Sequence, residues 1–185
     1  MNKPSARLEA DRSFRARFTT AEFVRMGEFG AFDDMKVELV EGELERMNPP
    51  MNTHSARQTS VMIRLSKVLD EALLRGEIGI DLGNDTVLAC DVAVLRIPVT
   101  GHRLLRPEEA HLIVEIAETT RSRDMGLKRV LYATAGIPHY WVVDGDRSVV
   151  HVYREPSGGD YSRVSTIGFG EPLDVPGIDA TIVVD

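Results

Sequence analysis

The chain has 185 residues, 43% of them hydrophobic and 28% charged, with a formal net charge of −7. That length fits one domain with a real core, and no stretch approaches the ~18 continuous apolar residues of a membrane span. The acidic balance argues against a protein whose main task is gripping nucleic acid non-specifically, and a single cysteine, Cys90, excludes an intrachain disulfide and a thiolate zinc site.

The first 18 residues read as a flexible, basic tail. Lys3, Arg7, Arg12, Arg15 and Arg17 outnumber Glu9 and Asp11 there, which suits a solvated terminus or an arm for an anionic partner. The stretch has no apolar core of a secretory signal, so a cytoplasmic location is expected. Residues 19–185 read as one domain.

Thr19 and Glu22 have the spacing of a capping box, and the helix they start should stop near Gly27. Met35 to Met47 alternates apolar and polar residues around Glu41-Gly42, the pattern of a β-hairpin. From about Thr53 to Arg75, Val61, Leu65, Val68, Leu69, Ala72 and Leu73 recur at helical spacing, with Gly76 as the stop. Ile78 to Leu82 reads as a strand, and Gly83-Asn84-Asp85 as a turn. Thr86 to Leu95 (TVLACDVAVL) reads as a central strand, bent near its one acid.

A loop follows from Pro98 to Pro107. His111 to Ala117 is a short apolar run around LIVEI that reads as a buried strand. Thr119-Thr120 should cap a helix reaching about Ala135. His139 to Val143, Ser148 to Tyr153 and Tyr161 to Ile167 are further strands, with Pro156 to Gly159 as a loop. Pro172 to Asp185 is extended. The order predicts an α/β fold, a central mixed β-sheet flanked by helices with added β-hairpins.

Two acids do not belong to these patterns: Asp91 inside VLACDVAVL and Glu115 inside LIVEI. An ionised carboxylate in a buried strand costs several kcal/mol, order of magnitude, unless something compensates it. A lone acid of this kind is usually a satisfied structural group. Two on consecutive core strands, spaced ~4.8 Å apart when adjacent, can share one ion. Oxygen donors alone point to Mg²⁺ or Mn²⁺, with water and phosphate oxygens completing the shell. Arg121, Arg123 and Lys128 follow as cations. The five histidines lack the paired spacing of a zinc site.

Val37-Glu38-Leu39-Val40-Glu41-Gly42-Glu43, then Asn48-Pro49-Pro50 with His54, then Asp91, then the segment from Leu112 to Asp144, resemble the Uma-type restriction endonuclease family. That family lies within the PD-(D/E)XK nucleases. The resemblance runs from about Val37 to Tyr153 and implies a restriction endonuclease-like core. It also implies a metal-dependent endonuclease that cuts DNA, with Asp91 and Glu115 as metal ligands and the Ile116 carbonyl as a third. Lys128, on the helix after the strand, takes the place of the motif lysine, because Ala117 stands at the strand position. Its implied role is to position the attacking water.

Glu43 or Glu41 would complete the acidic site, and His54 would contact water or phosphate. Read without the family, Glu41 and Glu43 are a solvated turn and His54 a polar helix start. Asp124 is read as structural. Cys90 departs from the family's usual proline before the aspartate, and Glu118-Thr119-Thr120 from its usual turn. A homodimer suits double-strand cutting, and no membrane partner is expected. Two other readings share the fold: an inactive binding module, and a metal hydrolase of a smaller phosphate ester.

Overall fold

A computed structural model describes residues 16–118 and 121–185, with Arg121 described by its backbone alone. The basic residues before Arg17 and the Thr119-Thr120 cap lie outside the described residues. Among the described residues, no helix is long and apolar enough to cross a membrane.

Helix α1 (Thr20–Glu28) begins at the expected capping box: Thr19 Oγ1 accepts from the Glu22 N–H, and the Glu22 carboxylate accepts from the Thr19 N–H. Strands β1 (Lys36–Val40) and β2 (Glu43–Met47) form the expected hairpin. Its two turn residues, Glu41 and Gly42, have φ of 48° and 80°, the left-handed pair that a two-residue turn needs to match strand twist.

Helix α2 spans Asn52–Ser66, nine residues short of the expected end. A single 3₁₀ turn at Glu71–Leu73 follows, and β3 (Leu74–Gly83) has already begun where the helix should stop. Pairing decides this. Leu74 is buried opposite Val94 of the next strand, and that burial outweighs helical periodicity, a weak prior against tertiary packing. Gly76 is therefore a strand residue, and a Cβ there would sit 2.9 Å from Met62 Sδ of α2. The glycine lets helix and strand approach.

Strand β4 (Thr86–Leu95) has the expected bounds, and strand β5 (Ala110–Ala117) starts one residue before the expected His111. The next helix, α3, has three segments: α-helical Arg121–Arg123, π-helical Asp124–Lys128 and α-helical Arg129–Thr134. Strands β6 (His139–Asp144), β7 (Val149–Ser157) and β8 (Asp160–Gly168) follow. Pro156 and Ser157, expected in a loop, pair with β8 instead, so Gly158-Gly159 alone makes the turn. Strands β9 (Pro172–Asp174) and β10 (Thr181–Val183) close a small separate sheet.

The main sheet runs β2-β1-β4-β5-β6-β7-β8, with β3 added on β4. It is mixed: β5 and β6 are parallel and the other pairs antiparallel. One face packs Leu112, Val114, Ile116 and Trp141 under α2 and the small sheet. The other packs Ile113, Ala117, Tyr140 and Tyr153 under α3.

One irregularity positions everything that follows. Strand β3 lines β4 along nearly its whole length. Strands β1 and β5 must then share the opposite edge. They do so by splitting, β1 pairing at Val87 and β5 from Val92 onward, so the β4 backbone between them lacks a strand partner on that edge. Side-chain alternation also breaks there. Leu88 and Cys90 pack with the α3 cluster, but Val92 and Val94 pack with the α2 cluster. The expected bend near Asp91 is this change of face.

The hairpin turn gives a direct test. Gly42→Ala should lower the unfolding free energy by about 1 kcal/mol or more, because it forces an L side chain to positive φ with Phe18 O only 3.1 Å from the new Cβ. Glu41→Asn should raise it by a few tenths, since Asn tolerates that φ. Urea titration checks both, and equal effects of the two changes would contradict the turn assignment.

Candidate active site

The split between β1 and β5 is filled by acidic side chains, one from each of the three strands. Glu38 of β1 is 1% exposed, and its Oε1 accepts the unpaired Ala89 N–H of β4 at 2.9 Å. Asp91 of β4 accepts the Ile116 N–H of β5 on Oδ2 at 2.7 Å. The two carboxylates thus do the work of missing ladder partners. Glu115 of β5 points to the α3 side and is 2% exposed.

Lys128 joins them. Its Nζ lies 3.0 Å from Glu115 Oε1, 3.0 Å from the Ala89 carbonyl and 3.3 Å from Glu38 Oε1. Two of the ammonium's three donors are hydrogen-bonded, to Glu115 and to the Ala89 carbonyl, and Glu38 adds an ion pair. The π turn carries Asp124 and Lys128 inward, and both are buried. Tyr140 OH donates to the Asp124 carbonyl at the start of that turn, at 3.0 Å. One helical turn on, Tyr132 OH donates to Glu115 Oε1 at 2.8 Å.

The electrostatics follow from this crowding. Burial pushes the Glu115 carboxyl well above the usual range; Lys128 opposes the shift, while Asp91, Asp124 and Glu38 add to it. Burial alone would lower the Lys128 pKa, but the surrounding carboxylates, Glu115 first, raise it instead. The carboxylates packed around Lys128 thus favour its charged form. His54, at the start of α2, is 3.1 Å from Asp91 Oδ1 through Nε2. Its pKa is raised, first by that hydrogen bond and against its burial, with the Ile116 carbonyl contributing. Gln58, one turn along α2, holds the Asp91 carbonyl at 2.7 Å.

A cavity of about 380 Å³ opens over this cluster. Asp91, Glu115, Lys128 and His54 all line it, together with Glu38, Asp124 and Arg123. The Ile116 backbone is tied to Asp91 and His54 at its wall. The structure does not bring Glu41 or Glu43 to it. Glu41 is in the hairpin turn, and Glu43 lies 3.7 Å from Arg17. Arg123, expected in a basic turn, bridges Glu38 and Glu45.

Glu38, Tyr132 and Gln58 were not singled out as site residues by sequence reasoning. Glu38 did not stand out, because it falls on a polar position of the alternating hairpin from Met35 to Met47. Tyr132 and Gln58 carried no signal either, since a helical tyrosine and glutamine are ordinary until their hydroxyl and amide are placed.

No set of three or more His, Cys, Asp or Glu side chains among the described residues is arranged to hold a metal ion. Asp91 and Glu115 line the cavity as oxygen donors. Asp91, Asp124 and Glu38 each add to the upward push on the Glu115 carboxyl, and a cation placed among them would oppose that push.

The Uma2 family, described as "Putative restriction endonuclease", matches residues 20–183. The chain belongs to the Uma2 family. It is thus a nuclease-family protein. A crystal structure from Anabaena variabilis ATCC 29413, described as a "putative nuclease", superposes with a TM-score of 0.59 at 23% identity. The match covers 82% of this chain and 88% of that one. At that identity the likeness establishes the fold, which is restriction endonuclease-like. No curated protein matches the chain.

The buried pair can be tested by a double-mutant cycle in urea. Lys128→Met should destabilise by about 3–5 kcal/mol, because it strands buried carboxylates. Adding Glu115→Gln should recover at least about 1 kcal/mol. Strictly additive losses would show that the two side chains are not coupled.

Proposed function

We propose that this Uma2 member is a metal-dependent endonuclease that hydrolyses DNA phosphodiester bonds at the cavity between β1 and β5. The observation that carries the reading is the convergence of Asp91, Glu115 and Lys128, from two strands and a helix, on one cavity. Asp91, Glu115 and the Ile116 carbonyl would hold Mg²⁺ or Mn²⁺, both of which favour oxygen donors and retain water. When bound, such an ion polarises the phosphate and lowers the pKa of a water.

The chain's own residues set the rest. The carboxylates packed against Lys128 favour its charged form, which suits it to act as a donor and a positive charge. It holds Glu115 in place and offsets negative charge that develops at phosphorus. Asp91 is fixed by the Ile116 N–H and by His54, which leaves its carboxylate little freedom to turn. His54 faces the cavity with a raised pKa and is suited to donate a proton or hydrogen bond to a phosphate oxygen. Water would attack phosphorus as the bond to the leaving sugar oxygen breaks, the water's proton passing to bulk solvent and the leaving oxygen taking one from protonated His54. Glu43 has no part in this scheme. A symmetric pair of chains would supply one site per strand.

The cavity size favours one alternative. At about 380 Å³ it is in the range of small-molecule sites, which suits hydrolysis of a smaller phosphate ester by the same groups.

With Mg²⁺ or Mn²⁺ the purified protein should nick supercoiled plasmid. Asp91→Ala and Glu115→Ala should each lower the rate at least ~100-fold, the scale of losing several kcal/mol of transition-state stabilisation. Lys128→Ala should do the same. Cleavage that persists in all three variants would refute the assignment, and turnover of small phosphate esters without any nicking would select the alternative.

A further inference from the structure

A phosphodiester substrate needs a cation at the cavity that can be released to it. Lys128 cannot serve, since it is buried and held by Glu115, the Ala89 carbonyl and Glu38. Arg123 is held by two carboxylates, and His54 by Asp91. Breaking buried pairs of this kind is strongly unfavourable. Arg46 also borders the cavity. Its Cα partner is Val37, however, one residue from Glu38, so its side chain lies on the opposite face of the hairpin.

Lys36 differs on each count. It is two residues before Glu38 and so shares its face. It lines the cavity. Its one ion-pair partner among the described residues is Glu77, at 2.8 Å, and both side chains are about half exposed, at 53% and 48%. An ion pair that exposed contributes little, so exchanging it for a phosphate costs little.

The pair also has a distinctive position. Lys36 is on β1 and Glu77 on β3, the strands on opposite edges of β4, so the bridge spans β4, with Glu77 lying between the partners of Cys90 and Val92. Glu77 has φ of 45° within a strand, a strained conformation for a side chain that is not Gly, Asn or Asp. It sits where β3 changes face, since Leu74 packs with the α2 cluster and Ile78 with the α3 cluster.

We propose that Lys36 is the phosphate contact at the mouth of the cavity and that Glu77 holds it in reserve, so that the substrate phosphate displaces the Glu77 carboxylate. This rests on the nuclease reading, and it names a substrate-positioning residue and a competitor for it. The bridge is an electrostatic competition: Glu77 occupies Lys36 in the free protein and gives it up to DNA, whose closely spaced phosphates together outweigh one carboxylate.

The test is binding of a short fluorescein-labelled DNA duplex, followed by anisotropy across a salt series. Lys36→Gln should weaken binding roughly 3–10-fold and reduce the slope of log affinity against log salt by about one. Glu77→Gln should tighten binding about 2–5-fold by freeing Lys36, and the double variant should behave like Lys36→Gln alone. Lys36→Arg should retain binding. A pair that merely braces β1 against β3 would weaken binding in both single variants, and that result overturns the proposal. So does an unchanged affinity and salt slope in Lys36→Gln. If the wild-type protein neither binds nor nicks DNA, the nuclease reading falls and this proposal with it; if it does both while the variants behave alike, only the proposal falls.

Discussion

The Lys128 ammonium is the contact on which the site depends. Its three partners come from three strands: Glu38 on β1, the Ala89 carbonyl on β4 and Glu115 on β5. Those strands do not all pair with one another where the lysine sits, because β1 and β5 have split apart on the β4 edge. A single side chain from α3 therefore closes a gap that the backbone ladder leaves open. Without it, Glu115 would face Asp91, Asp124 and Glu38 with no opposing charge from α3. Burial makes such an arrangement far more costly than the same charges at the surface.

Helix α3 can deliver that lysine because of its π turn. An α-helix drifts by about 40° every four residues, so three residues at that spacing would fan away from a common line. Asp124, Lys128 and Tyr132 have this spacing, yet all three are buried toward the site. The wider turn at Asp124–Lys128 takes up part of the drift. Such turns are rare and are frequent at functional sites. Here the reason is geometric: the turn aligns a carboxylate, an ammonium and a phenol on the face that meets β5.

Much of the fold was legible because strand burial writes a simple pattern. The run TVLACDVAVL has the bounds of β4, HLIVEIA comes within one residue of those of β5, and the Thr19 capping box marks the start of α1. Asp91 and Glu115 stood out as acids in those runs. Lys128 did not stand out by composition, because a lysine on a helix is normally solvated, and only the family resemblance raised it. The end of α2 was misread because Val68, Leu69, Ala72 and Leu73 satisfy a helical period, while the pairing of Leu74 with Val94 cannot be seen locally. Neither the π turn nor the split of β1 from β5 has a sequence signature of its own. The place of Glu38 follows from that split, so its part in the site shows only in three dimensions.

The cluster also bears on what the structure is for. Buried ion pairs are weak contributors to stability, and apolar residues of similar volume often do as well or better. The rest of this sheet follows that rule, with valine, isoleucine, leucine and tyrosine filling both faces. At the split the rule is set aside. Glu38 and Asp91 spend their carboxylates as hydrogen-bond partners for strand backbone, and Glu115 is buried at a pKa that marks it as strained. A sheet that needed only to be stable would close this gap with another backbone pair or fill it with apolar side chains. Three acids and a lysine held there are instead what the proposed nuclease reading calls for, a place where a cation and a phosphate would meet.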